Sequence, residues 1–427
     1  MVLEFTIINF KSIKEKQSFS MLPERKIKEH SEAVLKDGKY EALSSAIIYG
    51  RNASGKSNII NAFSAFQHLV MNSAKFEVGT KIPYYEPYKL DPKSIEKPTE
   101  FKIDFIAKDK VRYIYEISYN SDTILKEALF YYPKNQIAKL FERSFENKTV
   151  YGDYYVGRKK EAEESLYKNQ LLLSKVGTEK LEMLVYPYLF FSKLIFISNS
   201  HDSSFDDLLL DIYTSKIVNK KNLHFVNNIS KLLKVADTGI DSLSISENKF
   251  LPSSLPLDMH DEEKKRIVER YKYKLRTVRN VFENGQPSGK IDFTLSEEST
   301  GTLKLLVIGG LIIESLADGQ TLIIDELDKS LHPKLTRSLI NLFMSEKTNP
   351  NKAQLIFATH DVSLLDLDLF RRDQIWFVEK EYEGNTTFYS VADISGIRKN
   401  VPLEKWYMSG RLGATPVINQ NELEFQF

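Results

Sequence analysis

Gly50-Arg51-Asn52-Ala53-Ser54-Gly55-Lys56-Ser57 is the stretch that most constrains what this chain can fold into. It meets the spacing G-x-x-x-x-G-K-[ST] in full. The apolar run Ala46-Ile47-Ile48-Tyr49 precedes it, and Asn58-Ile59-Ile60-Asn61-Ala62-Phe63 follows. Strand, glycine-bearing loop and helix start therefore come in the order a phosphate-binding loop needs. Glycines let successive backbone N–H groups turn inward around phosphate oxygens. The helix N-terminus adds positive partial charge. Lys56 reaches the β- and γ-phosphates of a bound nucleotide, and the Ser57 hydroxyl ligates Mg²⁺.

With 427 residues, 42% of them hydrophobic, the chain can bury a sizeable core and suggests two or three structural units. A net charge of +1 gives no global drive toward nucleic acid or membrane. There is no cysteine, so neither disulfides nor thiolate metal sites hold the fold. No signal-peptide pattern is present. The most apolar run, Leu305 to Ile313, is closed off by Lys304 and Glu314 and is too short to span a bilayer. The expectation is a soluble, cytoplasmic protein with no membrane partner.

Residues 1–22 read as a hairpin and the charged stretch Pro23 to Tyr40 as a surface loop. Ile59 to Met71 is the helix after the phosphate loop. From Thr99 to Val150 apolar residues alternate in short runs, which predicts an antiparallel meander. Helical spacing covers Ala162 to Lys175, Glu179 to Leu194, Phe205 to Ile217 and Phe225 to Val235. Asp261 to Arg279 reads as a charged helix with a solvated face. From Lys290 short apolar strands alternate with helices: Ile291–Leu295, helix Gly301 to Leu316, Thr321–Ile324, helix Leu331 to Phe343, Gln354–Ala358, a short helix Val362 to Leu367, and Gln374–Val378. This is the pattern of a parallel sheet covered on both faces.

Thr321-Leu322-Ile323-Ile324 delivers Asp325 and Glu326 to the C-terminal edge of that sheet, where ligands sit in open α/β folds. Asp325 completes the Mg²⁺ shell, and Glu326 is the general base that orients the attacking water. The next buried strand ends in Thr359-His360, from which His360 can hydrogen-bond the γ-phosphate. Upstream, Ser299-Thr300-Gly301 opens a second helix. Because Lys56 already serves the chain's own phosphate loop, this second helix start suggests a site completed across a dimer, with Ser299 and Gly301 touching the partner's nucleotide. An ordinary helix cap is the alternative there.

In this order of motifs the chain resembles the ABC-type ATPases of the RecF, SMC and OLD kind. The residues that carry the resemblance are Asn52, Gly55-Lys56-Ser57-Asn58, Ile8-Asn9-Phe10-Lys11-Ser12, and the succession of signature, acidic strand, Asp-loop and switch histidine. More narrowly it is similar to the AbiL/RloA type of anti-phage ATPase. That likeness rests on Glu298 to Thr302, on Asp325-Glu326-Leu327-Asp328-Lys329-Ser330-Leu331-His332-Pro333, on Gln354 to Asp361, on Arg371 to Phe377 and on the tail Tyr407 to Pro416. The resemblance implies an ABC-type P-loop ATPase head of α/β class with an antiparallel meander and a helical insertion, divided at 1–155, 156–289 and 290–427. It implies ATP and Mg²⁺ as ligands, with Gly50 to Asn58, Ser299, Gly301 and Asp328 on the nucleotide. It further implies a homodimer or higher homo-oligomer controlling a separate effector, a TOPRIM-like or RloB-type nuclease, with nucleic acid as a further partner. No acidic cluster with TOPRIM spacing follows residue 380, so the nuclease is not assigned to this chain. A Q-loop glutamine is not placed: Gln67 and Gln136 are the candidates. The alternative reading is a RecF- or SMC-like DNA repair ATPase.

Overall fold

The computed structural model describes residues 1–134, 136–145, 147–156, 163–177, 179, 181–197, 203–218, 223–236, 238–247, 259–270, 272–398 and 400–415. It divides into two compact units. One comprises Met1–Ser198, Gly319–Leu327 and Ile340–Phe427; the other comprises Asn199–Asp318 and Asp328–Leu339.

The first unit holds two sheets around one aromatic core. Seven antiparallel strands run in the spatial order Asn147–Tyr151, Ala138–Ser144, Ile124–Tyr131, Arg112–Tyr119, Thr99–Ile106, Val2–Ile8, Gln17–Ser20. Phe101, Ile103 and Phe105, at the two-residue period of a strand, all point inward. The meander and the N-terminal hairpin expected from the sequence thus belong to one sheet. The second sheet runs Leu194–Ile197, Thr321–Ile324, Gln354–Ala358, Ser45–Tyr49, Ile375–Lys380, Thr386–Ser390. All neighbours are parallel except the last pair. Its central strands are buried end to end, as strands covered on both faces must be. Helix Lys56–Asn72 packs its apolar side between the sheets. Phe66 lies 5.5 Å from Tyr115, nearly parallel to it, and meets Phe191 edge-on at 5.2 Å.

The second unit contains helices Ser203–Val218, Leu223–Val235, Asp261–Arg270 and Thr300–Asp318, with a three-stranded antiparallel sheet of Ser242–Glu247, Tyr273–Glu283 and Gln286–Thr294. Helix Thr300–Asp318 is long and apolar enough to cross a membrane by length and composition, though the run read in the sequence was shorter. In the fold, 56% of its most apolar window is buried. Gly310 lets the Tyr213 ring approach closely, and the Tyr213 hydroxyl donates to Val307 O at 3.0 Å.

Several local expectations are corrected. The span 23–40 is not all loop: a 3₁₀ turn, Ser31–Ala33, leads into strand Val34–Asp37, which pairs with Tyr40–Leu43. The expected helix Ala162 to Lys175 is helical only at Glu163 and Glu164 and, after irregular backbone, in a 3₁₀ turn at Leu173–Gly177 (Ala162 itself lies outside the described residues). The cause is competition for donors. Buried Glu127 accepts the N–H groups of Leu172 at 2.8 Å and Leu173 at 3.0 Å, so they cannot serve a helix. Within 179–194 only Val185–Ser192 is an α-helix, and Leu194 opens a sheet strand instead. The charged helix stops at Arg270, and Tyr273–Glu283 is a strand in which buried Leu275 and Thr277 alternate with Lys274 and Arg276. Ile291 to Leu295 does not join the parallel sheet; Ile291 to Thr294 fall in the antiparallel partner of that strand and Leu295 opens a 3₁₀ turn.

Candidate active site

Register places the acids beside the phosphate loop. Ile324 pairs with Phe357, Phe357 with Ile47, and Ala358 with Ile48. The C-terminal ends of three parallel strands are therefore level, and the loops that follow them carry Gly50, Asp325-Glu326 and Thr359-His360. The backbone is stitched across this edge by Thr359 N–H to Ile48 O at 3.2 Å and by Leu327 N–H to Ala358 O at 3.3 Å.

The loop's glycines answer to the surrounding protein. A Cβ on Gly50 would stand 2.4 Å from Val378 O and 2.6 Å from Ser54 Oγ. Gly55 has φ +113°, and a Cβ there would stand 2.3 Å from Thr386 Oγ1. Ala53, exposed beside exposed Asn52, has φ 61°. Arg51 is turned outward and donates to Lys380 O at 3.0 Å. The Lys56 ammonium is buried and donates to Gly50 O at 2.7 Å and Arg51 O at 3.3 Å, which holds it in the middle of the loop.

Ser57, the second helical residue, donates from Oγ to Asp325 Oδ2 at 2.7 Å. This bond joins the phosphate loop to the acidic strand over 268 positions of sequence. Burial pushes the Asp325 carboxyl up from its ordinary range. Neighbouring Glu326 pushes the same way, while the Ser57 hydrogen bond, Lys56 and His360 pull it down. Glu326 itself adopts φ 58°, a conformation unfavourable for a residue with a Cβ and one that recurs at functional sites. His360 is exposed at the mouth. Its neighbour Asp361 is fixed, because its carbonyl accepts the Tyr49 hydroxyl at 3.0 Å and its Oδ1 accepts Ser363 N–H at 2.9 Å.

Ser299, Gly301 and Asp328 belong to the second unit. Ser299 Oγ accepts Thr302 N–H at 3.1 Å and bonds Thr302 Oγ1 at 2.9 Å, so it caps its helix. A Cβ on Gly301 would stand 2.9 Å from Ser330 O. Ser299, Gly301, Arg279, Ser330 and His332 line one cleft of this unit. Beside Ser299, the Glu298 side chain is buried and accepts Arg279 Nη2 at 2.6 Å and Thr277 Oγ1 at 2.5 Å. Asp328 Oδ1 is buried without a hydrogen-bond partner. Of the glutamines considered, Gln67 spends its amide on Phe191 O and Leu194 O, and Gln136 is exposed.

Residues 45–160 and 188–366, more than half of the chain, match the family described as "AAA domain, putative AbiEii toxin, Type IV TA system". The chain belongs to this AAA family. No curated protein matches it. Among solved structures it is similar to the SMC head domain from Thermotoga maritima, at 12% identity and TM-score 0.40 over 91% of this chain and 98% of that one. It is also similar to an SmcHead bound to the C-winged helix domain of ScpA, at 13% and 0.41 over 91% and 97%. A third is the recombination mediator protein RecF-ATPrS of the RecFOR pathway, at 14% and 0.36 over 91% and 98%.

The residues of this AbiEii-type AAA chain fit a magnesium nucleotide. The Ser57 hydroxyl and Asp325 carboxylate are adjacent hard oxygen donors of the kind Mg²⁺ takes when phosphates and water supply the remainder. Among the described residues no group of three or more His, Cys, Asp or Glu forms a metal cage. Ser54 Oγ is buried inside the loop with no partner, a polar atom suited to a polar ligand. Two residues at this site had no role in the sequence reading: Ser12 and Thr386. Ser12 stood in a quoted motif, but Thr386 sits in Asn385-Thr386-Thr387-Phe388, where no spacing marks it.

Proposed function

We propose that this chain binds and hydrolyses ATP as the sensor and scaffold subunit of a prokaryotic anti-phage system of AbiL/RloA type. The single observation that carries the ATPase reading is the Ser57–Asp325 hydrogen bond, which couples phosphate loop and acidic strand in one site. Lys56 neutralises phosphate charge, Ser57 and Asp325 hold Mg²⁺, Glu326 accepts the proton of the attacking water, and His360 donates toward the γ-phosphate. Mg²⁺ held there by Ser57 and Asp325 would supply charge neutralisation for the phosphates. Ser299 and Gly301 of a second copy complete the site, so that hydrolysis opens a cytoplasmic homodimer and thereby controls a separate effector nuclease. The toxin–antitoxin heading of the family supports a defence role.

Glu326→Gln tests the chemistry. It should keep ATP binding, lower turnover about 10²–10⁴-fold as loss of a general base does, and accumulate an ATP-bound dimer. Wild-type turnover in that variant would remove Glu326 from its role. Mixing Lys56→Ala with Ser299→Arg protomers should restore one working site per dimer; activity no higher than either variant alone would refute completion in trans. Pull-down from native host cells, with neighbouring open reading frames identified, should recover a nuclease. Recovery of none, together with DNA-stimulated ATPase activity that falls steeply with salt, would favour a repair ATPase.

A further inference from the structure

Behind the phosphate loop runs a hydrogen-bond chain with a defined direction. Thr386, only 1% exposed, donates its hydroxyl to Ser54 O at 2.7 Å. Its proton is thereby committed, so in the 2.7 Å contact between Ser12 Oγ and Thr386 Oγ1 the donor is Ser12. Ser12 Oγ in turn accepts Asn58 Nδ2 at 2.6 Å. The sequence Asn58 → Ser12 → Thr386 → Ser54 C=O begins on the first turn of the phosphate-loop helix and ends on the loop's own backbone. It returns to the loop through two residues 374 positions apart.

Both middle members are held rigidly. Thr386 N–H also donates to Ser12 O at 2.7 Å. Ser12 follows a tight turn in which Asn9 has φ 51° and Lys11 φ 52°, each costing on the order of 1 kcal/mol for a non-glycine residue. That turn is secured by Asn9, whose amide donates to Ser94 O, Lys97 O and Pro98 O and whose Oδ1 accepts Tyr88 N–H. Thr386 follows a hairpin turn pinned from the same side, since the Tyr88 hydroxyl donates to Glu383 O at 2.5 Å.

We propose that Ser12 and Thr386 are positioning residues of the nucleotide site. They draw the Ser54 carbonyl back out of the loop, so that the N–H groups following it face the phosphates without reorganisation on binding. The same threonine explains Gly55: its Oγ1 occupies the space a Cβ there would need. The inference rests on the nucleotide reading given above. Neither residue touches ligand; both act through Ser54 and Asn58.

The test is equilibrium binding of ATP with Mg²⁺ to full-length Thr386→Val, Thr386→Ser, Ser12→Ala and the Ser12→Ala/Thr386→Val pair. Thr386→Val and Ser12→Ala each break two links of the chain, the Ser12–Thr386 bond and one bond to the loop or its helix, and about tenfold weaker binding is predicted for each. Thr386→Ser, which keeps the donor, should bind within about threefold of wild type. Because both single variants break one chain, the pair should be little worse than the weaker single variant. A purely structural role would instead lower the melting temperature of all variants without separating Val from Ser. Wild-type affinity in Thr386→Val, equal losses for Val and Ser, or additive losses in the pair would each overturn the proposal while leaving the nucleotide reading intact. If Thr386→Val does not fold, Ser12→Ala decides alone: wild-type affinity there overturns it. Absence of ATP binding by the wild-type chain would overturn the nucleotide reading and this inference together.

Discussion

The phosphate loop of the first unit and the signature turn of the second are built alike and held differently. Each is a helix start with a glycine whose Cβ would collide with a neighbour, Thr386 Oγ1 for Gly55 and Ser330 O for Gly301. At the phosphate loop, side chains remote in sequence grip three positions: Asp325 holds Ser57, Ser12 holds Asn58 and Thr386 holds Ser54. At the signature turn the bonds are local. Ser299 caps its own helix through Thr302, and its side chain stays in an exposed residue. The first arrangement fixes the loop backbone from outside; under the proposed nucleotide reading this is preorganisation, which is what converts contacts into affinity. The second leaves a polar helix start open to another surface.

The sharpest way to break this contrast is Lys56→Ala. It removes the buried ammonium of the loop and frees the Gly50 and Arg51 carbonyls from it. ATP binding should weaken by about 100-fold or more, the scale of a charge-assisted phosphate contact, as read by calorimetry. A loss under about threefold would mean the loop's shape alone holds the phosphates.

Arg279→Ala asks how firmly the second unit supports Ser299. The Glu298 side chain is 2% exposed and Arg279 is 29% exposed. Removing the arginine leaves a buried carboxylate with only Thr277. Because the arginine is partly solvated, about 2 kcal/mol of destabilisation is expected, below the range for a fully buried pair. Hydrogen exchange should show it in 223–318 and leave the phosphate-loop helix protected. Equal deprotection of both regions would erase the distinction between them.

Much of the first region was legible because its signals are contiguous. Gly50 to Ser57 is a single word, and a four-residue apolar run ending in Asp325-Glu326 is a buried strand delivering its acids. What stayed hidden was set by partners far away in sequence. Nothing near Thr386 announces that Ser12 will meet it. Nothing between 163 and 177 announces that Glu127 will take two backbone donors and forestall a helix. The strand Tyr273–Glu283 was obscured for a different reason. Its lysines and arginines made a solvated helix the natural reading, although Leu275 and Thr277 already kept the two-residue period.

Asp325→Asn separates the cost of preorganisation from its use. Burial raises the folded-state carboxyl above its ordinary 3.8, so the folded chain binds this proton more tightly than the unfolded chain does. The group's favourable contribution is therefore complete below pH 3.8 and is lost as pH rises through the raised value. At pH 8 the folded state carries the penalised charge, which the amide lacks while still accepting from Ser57. The melting temperature of the nucleotide-free variant should rise at pH 8 and not at pH 4. Stabilisation by ATP with Mg²⁺ should disappear. No rise at pH 8 would mean the carboxylate is already satisfied by the groups around it.

Ser299→Ala carries the smallest effect and bears most directly on the comparison. Loss of the cap should cost about 0.5–1 kcal/mol in urea melts, and Ser299→Thr only a few tenths. A cost near zero would show that the hydroxyl is not engaged locally, contrary to its 3.1 Å contact with Thr302 N–H. Capping and an external contact are chemically compatible at this atom. The oxygen has two lone pairs and one proton. When it accepts both the Thr302 N–H and the Thr302 hydroxyl, its own proton is left to donate outward. Thr302→Val removes that second donor and frees a lone pair on Ser299. It should therefore lower stability by about 0.5 kcal/mol and leave the cap itself in place. If Thr302→Val instead costs as much as Ser299→Ala, the two hydroxyls form one closed pair, and the signature turn is as self-contained as the phosphate loop is externally gripped.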